Sequence, residues 1–349
     1  MQTKGAETVR ETIAGKGIRT LPQGIQAGTI LLCLLLAACA RSPSVLDPAG
    51  PAAARIALLS WIVFVLGGAV YLAVMILLLI ALFRQRSRDA EAQREASDGR
   101  NMVIFGGIVF PAVILVIVYG LTLGTMAALR TPETADELVI EVIGHQFWWE
   151  VRYHNQHFTT ANELHIPVGQ AVTIKLSSED VIHSFWVPEL HGKLDLVPGD
   201  VNSFWLQADE AGEYWGACAE FCGIQHAKMQ LVVVAEPEAE FLTWIEQQQQ
   251  PAPEPVDPLV QQGQQIFFGS GCVYCHTIEG TNASGDLGPD LTHLASRRTL
   301  AAGALDNNRG QLAGWITDPQ HVKPGNLMPP TALSGAELQA LLAYLETLE

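Results

Sequence analysis

Residues 56–83 and 102–129 are each 28 residues long and contain no Asp, Glu, Lys or Arg. As helices they would be about 42 Å long. That exceeds the ~30 Å hydrocarbon core of a bilayer, so each can span it with tilt. A chain carrying two such runs is committed to a transmembrane hairpin before any other feature is weighed. Pro111 lies inside the second run, which lipid-embedded helices tolerate. Between the runs stand Arg84, Arg86, Arg88, Arg94 and Arg100. The positive-inside rule puts that loop in the cytoplasm and everything beyond residue 130 on the outer side.

The first 38 residues predict a lipoprotein-type signal peptide. Lys4, Arg10, Lys16 and Arg19 precede the short apolar run Ile30–Ala38. The run closes on Leu36-Ala-Ala-Cys39, a box whose Cys is acylated to become a new N-terminus; the alternative is an ordinary signal cleaved nearby. Either places residue 39 outside, in agreement with the arginine loop. The hairpin segment is then 39–130.

Of 349 residues, 49% are hydrophobic and the net charge is −16, which argues against nucleic acid as a partner. The six Cys fall in three pairs, 33/39, 218/222 and 272/275, a pattern of processing and cofactor chemistry rather than a disulfide framework. Residues 131–246 read as an all-β domain. Leu138–Ile143, Glu163–Pro167, Ala171–Leu176 and Gln230–Val234 are strand-like runs separated by turns such as Pro198-Gly-Asp, implying a sandwich or barrel.

Within that domain, Cys218, Cys222, His226 and Met229 place two thiols, an imidazole and a thioether in twelve residues. Such soft donors select copper, zinc or iron–sulfur centres. A disulfide or a zinc site remains open on spacing alone. Copper is favoured because Met suits it, His183 can supply a second imidazole, and the extra thiolate suggests a second bridged metal. These positions, with Glu220, resemble the binuclear CuA motif of subunit II of haem–copper cytochrome c oxidases. The resemblance implies a cupredoxin-like Greek key in which Cys218 and Cys222 bridge two coppers. His183 and His226 would cap them, and Met229 and the Glu220 carbonyl would complete the set. It further implies that the Glu220 carboxylate is a candidate ligand for Mg2+ shared with subunit I, and that Phe147, Trp148 and Trp149 form the aromatic patch through which electrons arrive. Two departures stand out: Phe147 occupies a position usually held by Trp, and Ile104 one often held by a Glu near a proton path. Between Asp136 and Glu236, 15 Asp/Glu face 4 Lys/Arg, an acidity suited to a basic carrier.

Residues 247–258, rich in Gln and Pro, predict a stiff linker reaching about 37 Å when extended. Beyond it, Cys272-Val-Tyr-Cys275-His276 is the c-type haem attachment motif, so 259–349 is expected to be an all-α class I cytochrome c domain. His276 would bind the iron axially, with Met328 opposite and His321 and His293 as chemical rivals. The Leu287-Gly-Pro289 stretch resembles the cytochrome c pattern in which the Pro carbonyl orients the proximal His. Ser334 and Glu337 predict a capping box opening a last helix whose Leu338, Leu341, Leu342 and Leu345 face the core.

The whole chain thus resembles subunit II of a caa-type oxidase. That resemblance implies a subunit of a proton-translocating oxidoreductase in a bacterial cytoplasmic membrane, binding CuA and covalent haem c. Electrons would pass from an external cytochrome c-type donor through haem and copper to subunit I, which would reduce oxygen beside a subunit III. The chain itself has no oxygen-reducing site. The alternative is a free-standing membrane-anchored electron carrier.

Overall fold

A computed structural model of the chain describes residues 43–83, 96–130 and 138–349. The signal segment with Cys39, the loop 84–95 and the stretch 131–137 lie outside the described residues.

Two long apolar helices emerge where the uncharged runs predict them, with shifted ends. Helix α1 spans Pro51–Phe83, five residues earlier than the run, because Ala52, Ala53 and Ala57 pack onto the outer domain rather than into lipid. The second rod is interrupted. Helix α2 (Ala96–Ile104) passes through a π-turn at Phe105–Val109 into α3 (Phe110–Ala128). Pro111 has no N–H and its ring crowds the carbonyl four residues back, so the wider turn just before it lets the helix continue. Both rods are long and apolar enough to cross a membrane.

The outer domain is a sandwich of two five-stranded sheets. One runs β3-β2-β1-β5-β8 and the other β4-β10-β9-β6-β7. In chain order the strands are β1 Val139–His145, β2 Trp148–Tyr153, β3 Phe158–Ala161, β4 Glu163–Pro167, β5 Val172–Ser178, β6 His183–Trp186, β7 Leu194–Leu196, β8 Asn202–Leu206, β9 Gly212–Cys218 and β10 Gln230–Glu236. The β1–β5 and β4–β10 pairs are parallel and the rest antiparallel, as a Greek-key cupredoxin-like sandwich requires. Alternate residues of each strand meet in the core, among them Ile140, Val142, Trp149, Ile166, Ile174, Phe185 and Val233. Helix α4 (Glu238–Gln248) closes one end by burying Phe241 and Ile245, and Trp244 stacks on His165 at 3.9 Å. This helix absorbs Gln247 and Gln248, the first residues of the expected linker.

The C-terminal domain is helical. Helices α5 (Pro258–Gly269), α6 (Arg309–Thr317), α7 (Pro319–Val322) and α8 (Gly335–Leu345) surround a second core containing Phe267, Leu312, Leu341 and Tyr344. Helices α5 and α8 cross so closely that a Cβ on Gly263 would lie 2.0 Å from the Ala340 carbonyl oxygen. Ser334 caps α8 in a reciprocal box with Glu337, and Leu341, Leu342 and Leu345 are buried beneath it.

Composition alone anticipates a haem domain reaching the sandwich on a tether. In the structure the domain is already seated. The Gln230 N–H donates to the Ala302 carbonyl at 3.0 Å, Gln225 Nε2 to the Pro324 carbonyl at 2.7 Å, and Lys228 Nζ to the Val322 carbonyl. Arg298 of the helical domain pairs with Glu163 and Glu213 of the sandwich.

Candidate metal and haem sites

Strand pairing assembles the first site. In β6 and β9, Phe185 lies opposite Cys218, which brings His183 beside the thiols at the end of β9. Ligating atoms of His183, Cys218 and Cys222 all fall within 4.8 Å of one another. The Cys218 sulfur lies 3.9 Å from His183 Nδ1 and 3.1 Å from the Glu220 carbonyl oxygen. The Cys222 sulfur lies 3.8 Å from His226 Nδ1 and 3.8 Å from the Met229 sulfur. Neither Cys is in a disulfide. All six sequence-predicted positions therefore converge, five through side chains and Glu220 through its backbone.

The surroundings fix the ligands. His183 is 0% exposed, and its Nε2–H donates to Asp180 at 2.8 Å, leaving Nδ1 toward the sulfurs. Gly144 of β1 lies against the same ring, and a Cβ there would meet His183 Cδ2 at 2.8 Å. Burial opposes charge on His183, but the Asp180 carboxylate and Cys218 outweigh it and hold its pKa above the usual value. The hydrogen bond from Cys222 draws Cys218 down to about 3, whereas the Cys222 thiol is pushed up by sharing that proton and by burial. The result is a buried pocket of sulfur and imidazole donors with one carbonyl. That donor chemistry fits copper. The Glu220 carboxylate points elsewhere, to Lys193 Nζ at 3.2 Å.

The second site is a cavity of about 450 Å³ between the domains. Cys272, Cys275 and His276 line one side, Met328 is among the other lining residues, and Phe147 and Trp148 form part of its wall from the sandwich. The short turn Cys272–Tyr274 places both thiols, which are free. His276 Nδ1–H donates to the Pro289 carbonyl at 2.7 Å, and burial lowers its pKa, so the ring is neutral with Nε2 available to iron. Of the three rival sixth ligands only Met328 lines the cavity. His321 is exposed, and His293 is engaged by the main-chain oxygens of Glu349 and Gln248 at 2.6 and 3.1 Å.

Two further residues of this cavity carry no motif. Arg297 is 8% exposed; its Nη2 donates to the Asp290 carbonyl, yet its Nε has no partner among the described residues. A buried guanidinium with a spare donor suits the carboxylates of a haem, and with the thiols and the neutral imidazole it makes the cavity fit that group. Lys323 is the single Lys between residues 259 and 349. It is 2% exposed, and burial pushes its pKa down to about 7.

The aromatic positions divide. Phe147 is 6% exposed and lies under the helical domain, Trp148 stacks on His145 at 4.4 Å, and Trp149 is fully buried with its ring 6.0 Å from that of His183. Trp149 is thus a core residue beside His183 and not part of an exposed patch.

Residues 154–236 match the family described as cytochrome c oxidase subunit II, periplasmic domain, and residues 260–349 match cytochrome c. The cytochrome c oxidase subunit 2 of Alkalihalophilus pseudofirmus is 40% identical over 313 residues, covering 87% of this chain and 90% of that protein. The cytochrome c oxidase subunit 2 of Bacillus subtilis is 30% identical over 340 residues, covering 91% of this chain and 96% of its own length. Among solved structures, the periplasmic domain of subunit II of cytochrome oxidase of Bradyrhizobium japonicum is 28% identical and covers 34% of this chain and 96% of its own, with a TM-score of 0.33. Near-full-length relatives, an assembled thiol–imidazole–thioether centre and a c-type haem cavity lead to one conclusion: the chain belongs to the cytochrome c oxidase subunit 2 family, in the form extended by a cytochrome c domain.

Proposed function

We propose that this chain accepts electrons from an external cytochrome c-type donor and delivers them, by way of its own haem and copper centres, to subunit I of a haem–copper oxidase. When bound, covalent haem c and binuclear CuA supply one-electron redox chemistry without proton exchange. The chain's residues do the rest. Cys272 and Cys275 would anchor the haem, His276 and Met328 would serve its iron, and Pro289 holds the His276 ring. Cys218 and Cys222 would supply thiolates to the copper centre, His183 and His226 imidazoles, Met229 its thioether and Glu220 its carbonyl. The Glu220 carboxylate is left for Mg2+ at the subunit I face, where it would exchange Lys193 for the ion.

The observation that carries the order of transfer is the shared wall of the haem cavity. Phe147 and Trp148, the positions where a carrier would otherwise approach the copper domain, are covered by the chain's own haem domain. The external donor then reduces the haem and seldom the copper directly. In this reading the two helices anchor the chain in a bacterial cytoplasmic membrane with both domains outside, alongside subunits I and III, and Cys39 carries the lipid. Truncation after Gln250, which spares α4, tests the route. Steady-state oxidation of added cytochrome c should fall steeply while the CuA EPR signal stays intact. Near-wild-type turnover would refute the route.

A further inference from the structure

The seam between the domains contains one buried amine. Lys323 Nζ lies 2.7 Å from the Phe147 carbonyl oxygen of the sandwich and 3.0 Å from the Ala301 carbonyl oxygen of its own domain, and donates to both. No carboxylate is paired with it among the described residues, and its hydrogen-bond acceptors are these two carbonyls, one on each side of the seam. What it grips is also specific. Phe147 follows Gln146 in the turn between β1 and β2, and Gln146 is tied to both sides of the thiol–imidazole site. Its Nε2 donates to the Cys222 carbonyl, and its N–H donates at 2.6 Å to Asp180, the carboxylate that also holds His183. On the other side, Lys323 opens the segment that leads through Pro324 and Gly325 to Met328. A continuous series of covalent and hydrogen bonds therefore joins the Met328 loop to Cys222 and His183 through one side chain.

We propose that Lys323 is the positioning residue for electron transfer between the two centres, seating the haem cavity on the Gln146–Phe147 turn. The proposal rests on the haem-to-copper order given above. In the step it serves, one electron leaves the ferrous haem, which becomes ferric, and reduces the oxidised copper pair; no bond or proton is exchanged. The external donor then restores the haem. Buried Gln225 and exposed Lys228 donate to carbonyls of the same 322–324 segment, whereas Lys323 is the one of the three that reaches the Gln146–Phe147 turn.

The test uses the complete loaded oxidase carrying Lys323→Met, which keeps bulk and removes the donors, and Lys323→Gln, which restores a two-donor group one bond shorter. Hydrogen exchange at residues 146–149, 301–302 and 322–325 reports seating. The haem-to-copper rate after flash reduction of the haem reports its use, and haem absorbance and copper EPR report the centres. Lys323→Met should lose protection at all three segments and slow transfer at least tenfold with both spectra and both potentials unchanged, and Lys323→Gln should recover part of each. Wild-type protection and rate in Lys323→Met would overturn the proposal, as would a slowed rate accompanied by a changed haem spectrum, which would assign the effect to the haem itself rather than to seating. If Lys323→Met does not accumulate, Lys323→Ala is judged by the same outcomes. If no variant folds, Lys323→Gln included, the role is structural and the proposal fails. A wild-type protein whose seam is protected but whose haem does not reduce its copper would refute the functional order instead.

Discussion

Small changes beside the ligands should separate the two centres. Gly144 has no role in binding metal, yet its missing side chain is what lets the His183 ring lie flat against β1. A methyl there would fall 2.8 Å from Cδ2 and 3.0 Å from Cγ of a ring that is sealed from solvent. Gly144→Ala should weaken copper binding roughly 10–100-fold, the range for disturbed ligand orientation, while the haem attaches normally. Copper content and EPR against haem absorbance measure the split. At the haem, Met328→Ala should leave the group covalently attached but lower its potential and open the iron to added ligands, whereas His321→Ala should change neither. Redox titration with added imidazole distinguishes them, and the reverse result would move the axial assignment to His321.

Among the elements, legibility followed local pattern. The β-branched runs at 163–167 and 230–234 lie within β4 and β10, where continuous burial on both faces goes with a short run bounded by turns rather than with alternation. Strands β2 and β3 carry no such mark: Trp148–Tyr153 mixes aromatic and charged residues, and its neighbours rather than its pattern decide its pairing. Helix α4 was also hidden, since only Phe241, Trp244 and Ile245 of it face the sandwich and its polar tail resembles the linker that follows. The capping box of α8 was legible because it is a local exchange between two side chains and two backbone amides. The α5–α8 crossing was not, since a lone Gly263 in a helix gives no hint of the carbonyl it must clear. Gly263→Ala should cost about 1–3 kcal/mol by forcing the helices apart. Denaturant unfolding of the helical domain, followed by haem absorbance, would show it, with little effect on the copper signal.

At the scale of the whole molecule, each domain announces itself by a motif, but the seam does not. Most of the candidate site residues fall in two short stretches of fixed spacing, 218–229 and 272–276, which a sequence displays. The seam is made largely of carbonyl oxygens, those of Phe147, Ala301, Val322 and Pro324, which every residue possesses and no sequence distinguishes. What a sequence does display, Lys323, Lys228, Gln225 and the Arg298–Glu163–Glu213 group, is scattered along the chain. This is why composition anticipates a swinging domain where the structure has a seated one.

The bases of the membrane helices are held as firmly. The Ala49 and Ala53 amides donate to the Glu189 and Leu190 carbonyls at 2.7 and 3.2 Å, Ala52 packs on Ala171 and Trp205, and Trp205 Nε1 donates to the Leu129 carbonyl at 2.9 Å. Both rod ends are thus tied to the sandwich by described residues, Ala49, Ala52 and Ala53 on one side and Leu129 on the other. A partner that docks against the helices in the bilayer therefore orients the copper loop in the same event, since the rotational entropy of the outer domain was surrendered when this chain folded. Inserting a few glycines between the sandwich and either rod would reintroduce that freedom and, with every ligand intact, weaken assembly.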